Sequence, residues 1–177
     1  MSQLKVNSIV PVGGLPSGAN GGIIQVVQAT QTSEVSTTGT SFVDTGLSGS
    51  ITPSSNSSKI LVIVTQRFFI SRSTDQARAG FQLLRGSTVI LTGPNTASGS
   101  EPGGEGFSSG NGPGAIQVAG AYSCSFLDSP STTSATTYKT QFANNQSSAS
   151  PTTFINSLNN NSGEDGVSTI TLFEVTA

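Results

Sequence analysis

The sequence predicts an all-β protein, an antiparallel β-sandwich of jelly-roll-like type with an extended N-terminal arm. Three observations predict it. Almost every apolar run from Gly22 onward has strand length, is rich in β-branched or aromatic residues, and is bounded by Gly, Pro, Ser or Asn. No window carries a convincing 3.6-residue apolar period, so little helix is expected. Residues 1–21 lack the pattern altogether: Pro11, Gly13, Gly14, Pro16, Gly18 and Gly21 exclude a helix there. The chain of 177 residues therefore divides into an arm, 1–21, and one head domain, 22–177.

The elements follow in order. Gly22 to Thr32, with Ile23, Ile24, Val26 and Val27, is the first strand. Ser41–Thr45 and Ser48–Thr52 read as two short strands, and Pro53–Ser58 as a polar turn. Lys59–Ser71 is the longest apolar strand. Its run Ile60-Leu61-Val62-Ile63-Val64 has no polar alternation, which predicts burial on both faces, the second against a neighbouring subunit. Ala77–Leu84 and Ser87–Thr92 form a hairpin about Arg85-Gly86. Gly93–Gly114 holds seven Gly and three Pro after its first residue and keeps no periodicity, as a long surface loop does. Alternation then returns: Val118, Gly120, Tyr122, Cys124 and Phe126 point one way, and the small Ala119, Ala121, Ser123 and Ser125 the other, where they permit close approach. Thr136–Phe142 directs Tyr138 and Phe142 inward. Thr152–Asn156 and Val167–Val175 complete about nine strands.

Composition excludes several classes of function. Charged residues are 9% of the chain and the net charge is −2, so the chain is neutral rather than disordered by charge. Hydrophobic residues are only 33%, so one head buries little apolar area for its length, which favours an oligomer. The basic residues Lys5, Lys59, Arg67, Arg72, Arg78, Arg85 and Lys139 are too dispersed to track phosphates, so nucleic acid is not an expected partner. Cys124 is the single cysteine, so no intrachain disulfide forms, and it is expected to be a buried packing thiol. The opening Met1–Asn7 lacks the apolar stretch of a secretory signal, and no run approaches the ~20 apolar residues that span a bilayer. Synthesis in the cytoplasm without membrane insertion is expected.

Catalytic signatures are weak. Gly106-Phe107-Ser108-Ser109-Gly110 matches a nucleophile elbow, but the motif needs a strand, a helix and a His base, and the chain has no His. Glu101 and Glu105 could pair for glycan hydrolysis, yet they share the Gly-rich loop, a poor platform for preorganised acids. Asn159–Gly166 is rich in oxygen ligands without EF-hand spacing, and reads as a polar turn. No zinc set and no phosphate-binding Gly-Lys-Ser/Thr ending occur. No catalytic residue, metal or cofactor is expected.

Several segments carry a family resemblance. The leader Ser2–Ile9 resembles the opening of many small virion proteins of tailed bacteriophages, cyanophages among them. So do Gly22–Gln28, Ser50-Ile51-Thr52-Pro53, Ser57–Val62, Phe126–Pro130, Ser134–Lys139 and the ending Ser168–Glu174. Together they span nearly the whole chain except 93–114. The resemblance implies a tail-fibre or capsid-associated fibre protein, usually trimeric, with a β-sandwich head and an N-terminal segment that docks on the virion. On that expectation Leu4, Val6, Ile9 and Val10 dock on another virion protein, by groove burial or strand addition. The loop with Glu101, Glu105, Phe107 and Asn111 faces outward, toward a glycan or protein of the host surface, with trimeric avidity multiplying weak contacts. A capsid decoration protein and a glycan-degrading tail spike are the alternatives. A cell-surface lectin domain is a third, against which the missing secretory signal argues.

Overall fold

The computed structural model describes residues 22–72, 79–92, 116–144, 152–157 and 166–176. Among these the strands are β1 (Ile23–Gln31), β2 (Val35–Thr37), β3 (Val43–Ile51), β4 (Lys59–Arg72), β5 (Ala79–Arg85), β6 (Thr88–Thr92), β7 (Ile116–Asp128), β8 (Thr136–Asn144), β9 (Thr152–Ile155) and β10 (Ser168–Val175). The described residues contain no helix. All pairings are antiparallel, and the strands form two sheets of six and four. The all-β sandwich expected from strand-length apolar runs is the observed architecture.

β4 organises the larger sheet. One of its edges pairs with β7 over its whole length, from Ile60↔Asp128 to Arg72↔Ile116. The other edge is shared end to end by β10, along Lys59–Thr65, and by β9, along Phe68–Ser71. β1 then extends the β10 side and β2 the β9 side. The smaller sheet runs β3-β8-β5-β6.

The core lies between the sheets. Ile60, Val62, Val64, Phe68 and Ile70 of β4 meet Leu47, Ile51, Phe81, Leu83, Tyr138 and Phe142 of the smaller sheet. Aromatic rings cross the interface: Phe81 stacks on Tyr122 at 4.8 Å and tilts against Phe68 at 5.5 Å. Gly120 lies on β7 opposite Phe68, and a Cβ there would stand 2.7 Å from the ring tip. The close approach is thus made on the inner face, at Gly120, rather than at the outward Ala119, Ala121, Ser123 and Ser125.

Several sequence expectations are corrected. Ser41–Thr45 and Ser48–Thr52 are one strand, β3, interrupted by a register shift between Asp44 and Ser48, where Gly46 takes φ +87°. Gly46 looked like a break because a bulge and a turn use the same residue. β2 at Val35–Thr37 had no legible pattern: three residues are too few to show a period. Within one chain the second face of Ile60–Val64 stays open, with Ile63 40% exposed, so the expected burial of that face depends on a neighbouring subunit. Cys124 is half-buried, packed at the margin of the core.

A chain of hydrogen bonds crosses this core. Thr45 Oγ1 lies 2.6 Å from Thr140 Oγ1, and Thr140 Oγ1 donates to Gln66 Oε1 at 2.8 Å. Gln66 Nε2 donates to Ser168 Oγ at 2.7 Å, and Ser168 Oγ donates to Asn156 Oδ1. Asn156 Nδ2 donates to Gln31 Oε1 at 2.7 Å. Thr45, Thr140, Gln66, Ser168 and Asn156 are all fully buried, at 0% exposure. The far end returns to the start: a Cβ on Gly46 would meet Gln31 Nε2 at 2.9 Å.

Two substitutions test this packing. Gln66→Leu should leave the Thr140 and Ser168 hydroxyls short of a partner and cost about 1–3 kcal/mol. The urea midpoint should fall while the β circular dichroism persists. Gly120→Ala should push Phe68 off Phe81 and cost about 1–3 kcal/mol as overpacking, read in the same titration.

Candidate functional site

The sequence-predicted docking residues Leu4, Val6, Ile9 and Val10 lie outside the described residues, as do Glu101, Glu105, Phe107 and Asn111. The Gly106–Gly110 motif and residues 159–165 of the polar turn lie outside them too. What the structure places is the ionisable chemistry of the head and the surface the two sheets present.

The described carboxylates are largely committed to structure. Arg85 Nη1 contacts both carboxylate oxygens of Asp128 at 2.9 Å, and Tyr138 OH donates to Asp128 Oδ2 at 2.6 Å. This triad ties the end of β7 to β5 and β8. Burial, reinforced by the adjacent Asp128 carboxylate, holds the Tyr138 phenol far above its ordinary value, so it stays a neutral donor. Glu174, near the end of β10, is 1% exposed and accepts from Ser54 N at 2.7 Å and Ser54 Oγ at 2.6 Å. The turn between β3 and β4 therefore wraps a buried carboxylate. Burial pushes that carboxyl up, but the hydroxyl and amide donors of Ser54, Ser58 and Ser55 outweigh it and hold the group below its ordinary value.

Asp44 is the more accessible acid. Burial is the largest single influence and raises its carboxyl, but the Gln141 amide (2.9 Å) and the Lys139 ammonium (3.0 Å) together outweigh it and hold the group below its ordinary value. Together with Gly46, Leu47, Ser48 and Thr140 the pair lines a recess of about 80 Å³ at the β3 bulge. Ligand pockets run to roughly 300–1,000 Å³, so this recess suits a few atoms at most. No group of three His, Cys, Asp or Glu side chains that could hold a metal occurs among the described residues. No helix there is long and apolar enough to cross a membrane.

The outward face of the larger sheet is the other distinctive surface. Leu127 of β7, Leu61 of β4, Phe173 of β10 and Val26 of β1 are successive cross-strand partners, so they form one row across four strands. The ends of the row are the most open, with Leu127 at 51% and Val26 at 55% exposure. The next row is Ser125, Ile63, Thr171 and Gln28, in which Gln28 Nε2 donates to Thr171 Oγ1 at 3.0 Å. Beyond it lie Ser123, Thr65, Thr169 and Thr30. On the other side Lys59 partners Val175, and Val175 partners Ile23. Sequence reasoning gave the β4 part of this face, as the second face of Ile60–Val64, but not the row that continues it onto β7, β10 and β1. Its signal was present in the unbroken runs Ile60–Val64 and Ile23–Val27, where apolar residues fall on both faces.

No protein-family model matches the chain, and no curated protein matches it. Among solved structures, a chain from the structure of infectious bursal disease virus, Gx strain, is similar with a TM-score of 0.34 and 13% sequence identity. The alignment covers 86% of this chain and 37% of that one, so this chain spans little more than a third of the viral chain's length.

The lowered carboxyls set the sign of the acid response. A folded-state value below the ordinary 4.5 means that Glu174 contributes stability that is complete above that value and is lost as pH falls through the folded one. Asp44 acts in the same direction but is solvent-screened. Urea midpoints should therefore hold steady from pH 7 to about pH 5 and fall below it. Glu174→Gln should lower the midpoint at pH 7 and flatten the acid decline.

Proposed function

We propose that this chain is a non-enzymatic structural protein of a bacteriophage virion, a tail fibre or virion fibre. In this proposal the sandwich heads associate as a homotrimer. Residues 1–21 dock on another virion protein, and the loop 93–114 faces the host surface. The chain is made in the host cytoplasm and acts in the virion, without cofactor, metal or nucleic acid.

The observation that carries the proposal is the ordered series of segments, from Ser2–Ile9 to Ser168–Glu174, that resembles small phage virion proteins. The chemistry of the head is consistent with it. Asp128 and Glu174 are held as hydrogen-bond acceptors by Arg85, Tyr138 and Ser54, which leaves them poorly placed to exchange protons with a substrate. Hydrolysis of a glycan needs two acids about 5–9.5 Å apart about a sugar cleft, and the recess beside Asp44 offers one acid and little room.

Deleting residues 1–21 tests the docking claim. The truncated head should keep its β circular dichroism and cooperative melting, because its strands begin at Ile23. Phage assembled with it should lack the protein when purified particles are probed. Incorporation at the wild-type level would overturn the proposal.

A further inference from the structure

We propose that the outward face of the six-stranded sheet, centred on Leu127, Leu61, Phe173 and Val26, is the surface on which a second copy of this chain packs. The inference deepens the assembly proposed above and rests on it for the existence of an oligomer. The location of the contact rests on the sheet alone.

Apolar residues on this face do nothing for the core of their own chain. Ile60, Val62, Val64, Ile170 and Leu172 are the inward residues of β4 and β10, and all are at 0% exposure. The outward row alternates with them, and in a lone chain it leaves Val26, Ile63 and Leu127 40–55% exposed. With Ile23 and Ile24 they make five of the eight exposed large hydrophobics among the described residues. Ile23 and Ile24, at 57% and 47% exposure, continue the apolar surface at the start of β1.

The layout matches an interface in both pattern and size. An apolar centre is bordered by a polar, uncharged rim of Ser125, Thr171, Gln28, Ser123, Thr65, Thr169 and Thr30. Four strands at ~4.8 Å spacing and the three uncharged rows at ~6.8 Å make a face of about 19 by 20 Å, on the order of 400 Å² in projection. Side-chain relief brings the accessible surface toward the ~800 Å² per partner that a standard interface buries.

The absence of charge on this face fits another copy as the occupant. The rows centred on Leu61, Ile63 and Thr65 carry no ionisable residue; Lys59 and Arg67 stand beyond either end of this stretch of β4. Discrimination among different partners relies on charge complementarity and on repulsion of wrong ones. A neutral face offers neither. It is compatible with copies of itself, because no like charges are brought together when the faces of three copies converge on a threefold axis. Bulge-free pairing of β4 with β7 and β10 keeps the face regular, as sheet-on-sheet packing at ~10 Å requires.

Sedimentation velocity on the purified full-length chain tests this, with Leu127→Lys and Val26→Lys as variants and Val89→Lys as control. Val89 is 43% exposed on β6 of the other sheet. Wild type and Val89→Lys should sediment as the same oligomer at micromolar concentration. Each Lys variant on the face should weaken association at least tenfold, with unchanged β circular dichroism. The milder Leu127→Ser should weaken it less, which keeps the test informative should a Lys variant misfold. An oligomer that survives both Lys variants would overturn the assigned face while leaving the assembly intact. A monomeric wild type would overturn both. A monomer whose Leu61 and Phe173 amides exchange faster once residues 1–21 are deleted would give the face to the arm, and this too defeats the proposal.

Discussion

The sandwich depends on Gln66. Its side chain is buried in the middle of β4 with one hydrogen bond to each flank: the amide oxygen accepts from Thr140 in the opposite sheet, and the amide nitrogen donates to Ser168 on β10. Apolar packing holds two sheets together at almost any registry, because it is non-directional. A buried amide is directional, and leaving it unpaired is costly. Through Thr45 at one end and Asn156 and Gln31 at the other, it sets β3 and β8 against β1, β4 and β10 in one position. Arg67 N donates to Ser168 Oγ as well, so the backbone next to Gln66 is tied to the same hydroxyl.

This polar spine suits a chain lean in apolar residues. Neutral Thr, Ser, Asn and Gln side chains can be buried at low cost when each finds a partner. Thr153 bonds Asn144, and Asn144 Nδ2 donates to Thr37 O at 2.9 Å, so β2, a strand of three residues, is held by side chains as much as by its ladder. At the opposite end Glu174 secures the turn between β3 and β4, and Asp128 secures β7 against β5 and β8. Directional contacts thus sit at the margins and through the centre, and the aromatic trio Phe68, Phe81 and Tyr122 fills the space between them.

The same economy bears on function. The acids that are buried serve as acceptors for local donors, and the accessible Asp44 is engaged by Lys139 and Gln141. Among the described residues the larger sheet presents one regular face whose central rows carry no charge.

Strand identity was legible because period-two patterns and turn residues are local. Thr136–Phe142 showed which way Tyr138 and Phe142 face, and the alternation from Val118 to Phe126 showed the inward side of β7; both agree with the structure. Pairing partners, by contrast, were not written in any window. That β4 is flanked by β7, β10 and β9, and that Gly46 is a bulge within one strand, follow from contacts between residues distant in sequence. The hydrogen-bond chain was equally hidden, since Thr45, Gln66, Thr140, Asn156 and Ser168 are ordinary polar residues until folding removes their water. The sequence alone determined the all-β class, the near-neutral surface and the inward side of several strands, because these depend on local composition and alternation. Only the tertiary structure decided which polar residues become the spine and which apolar residues line up as an outward row, because both arise from cross-strand register.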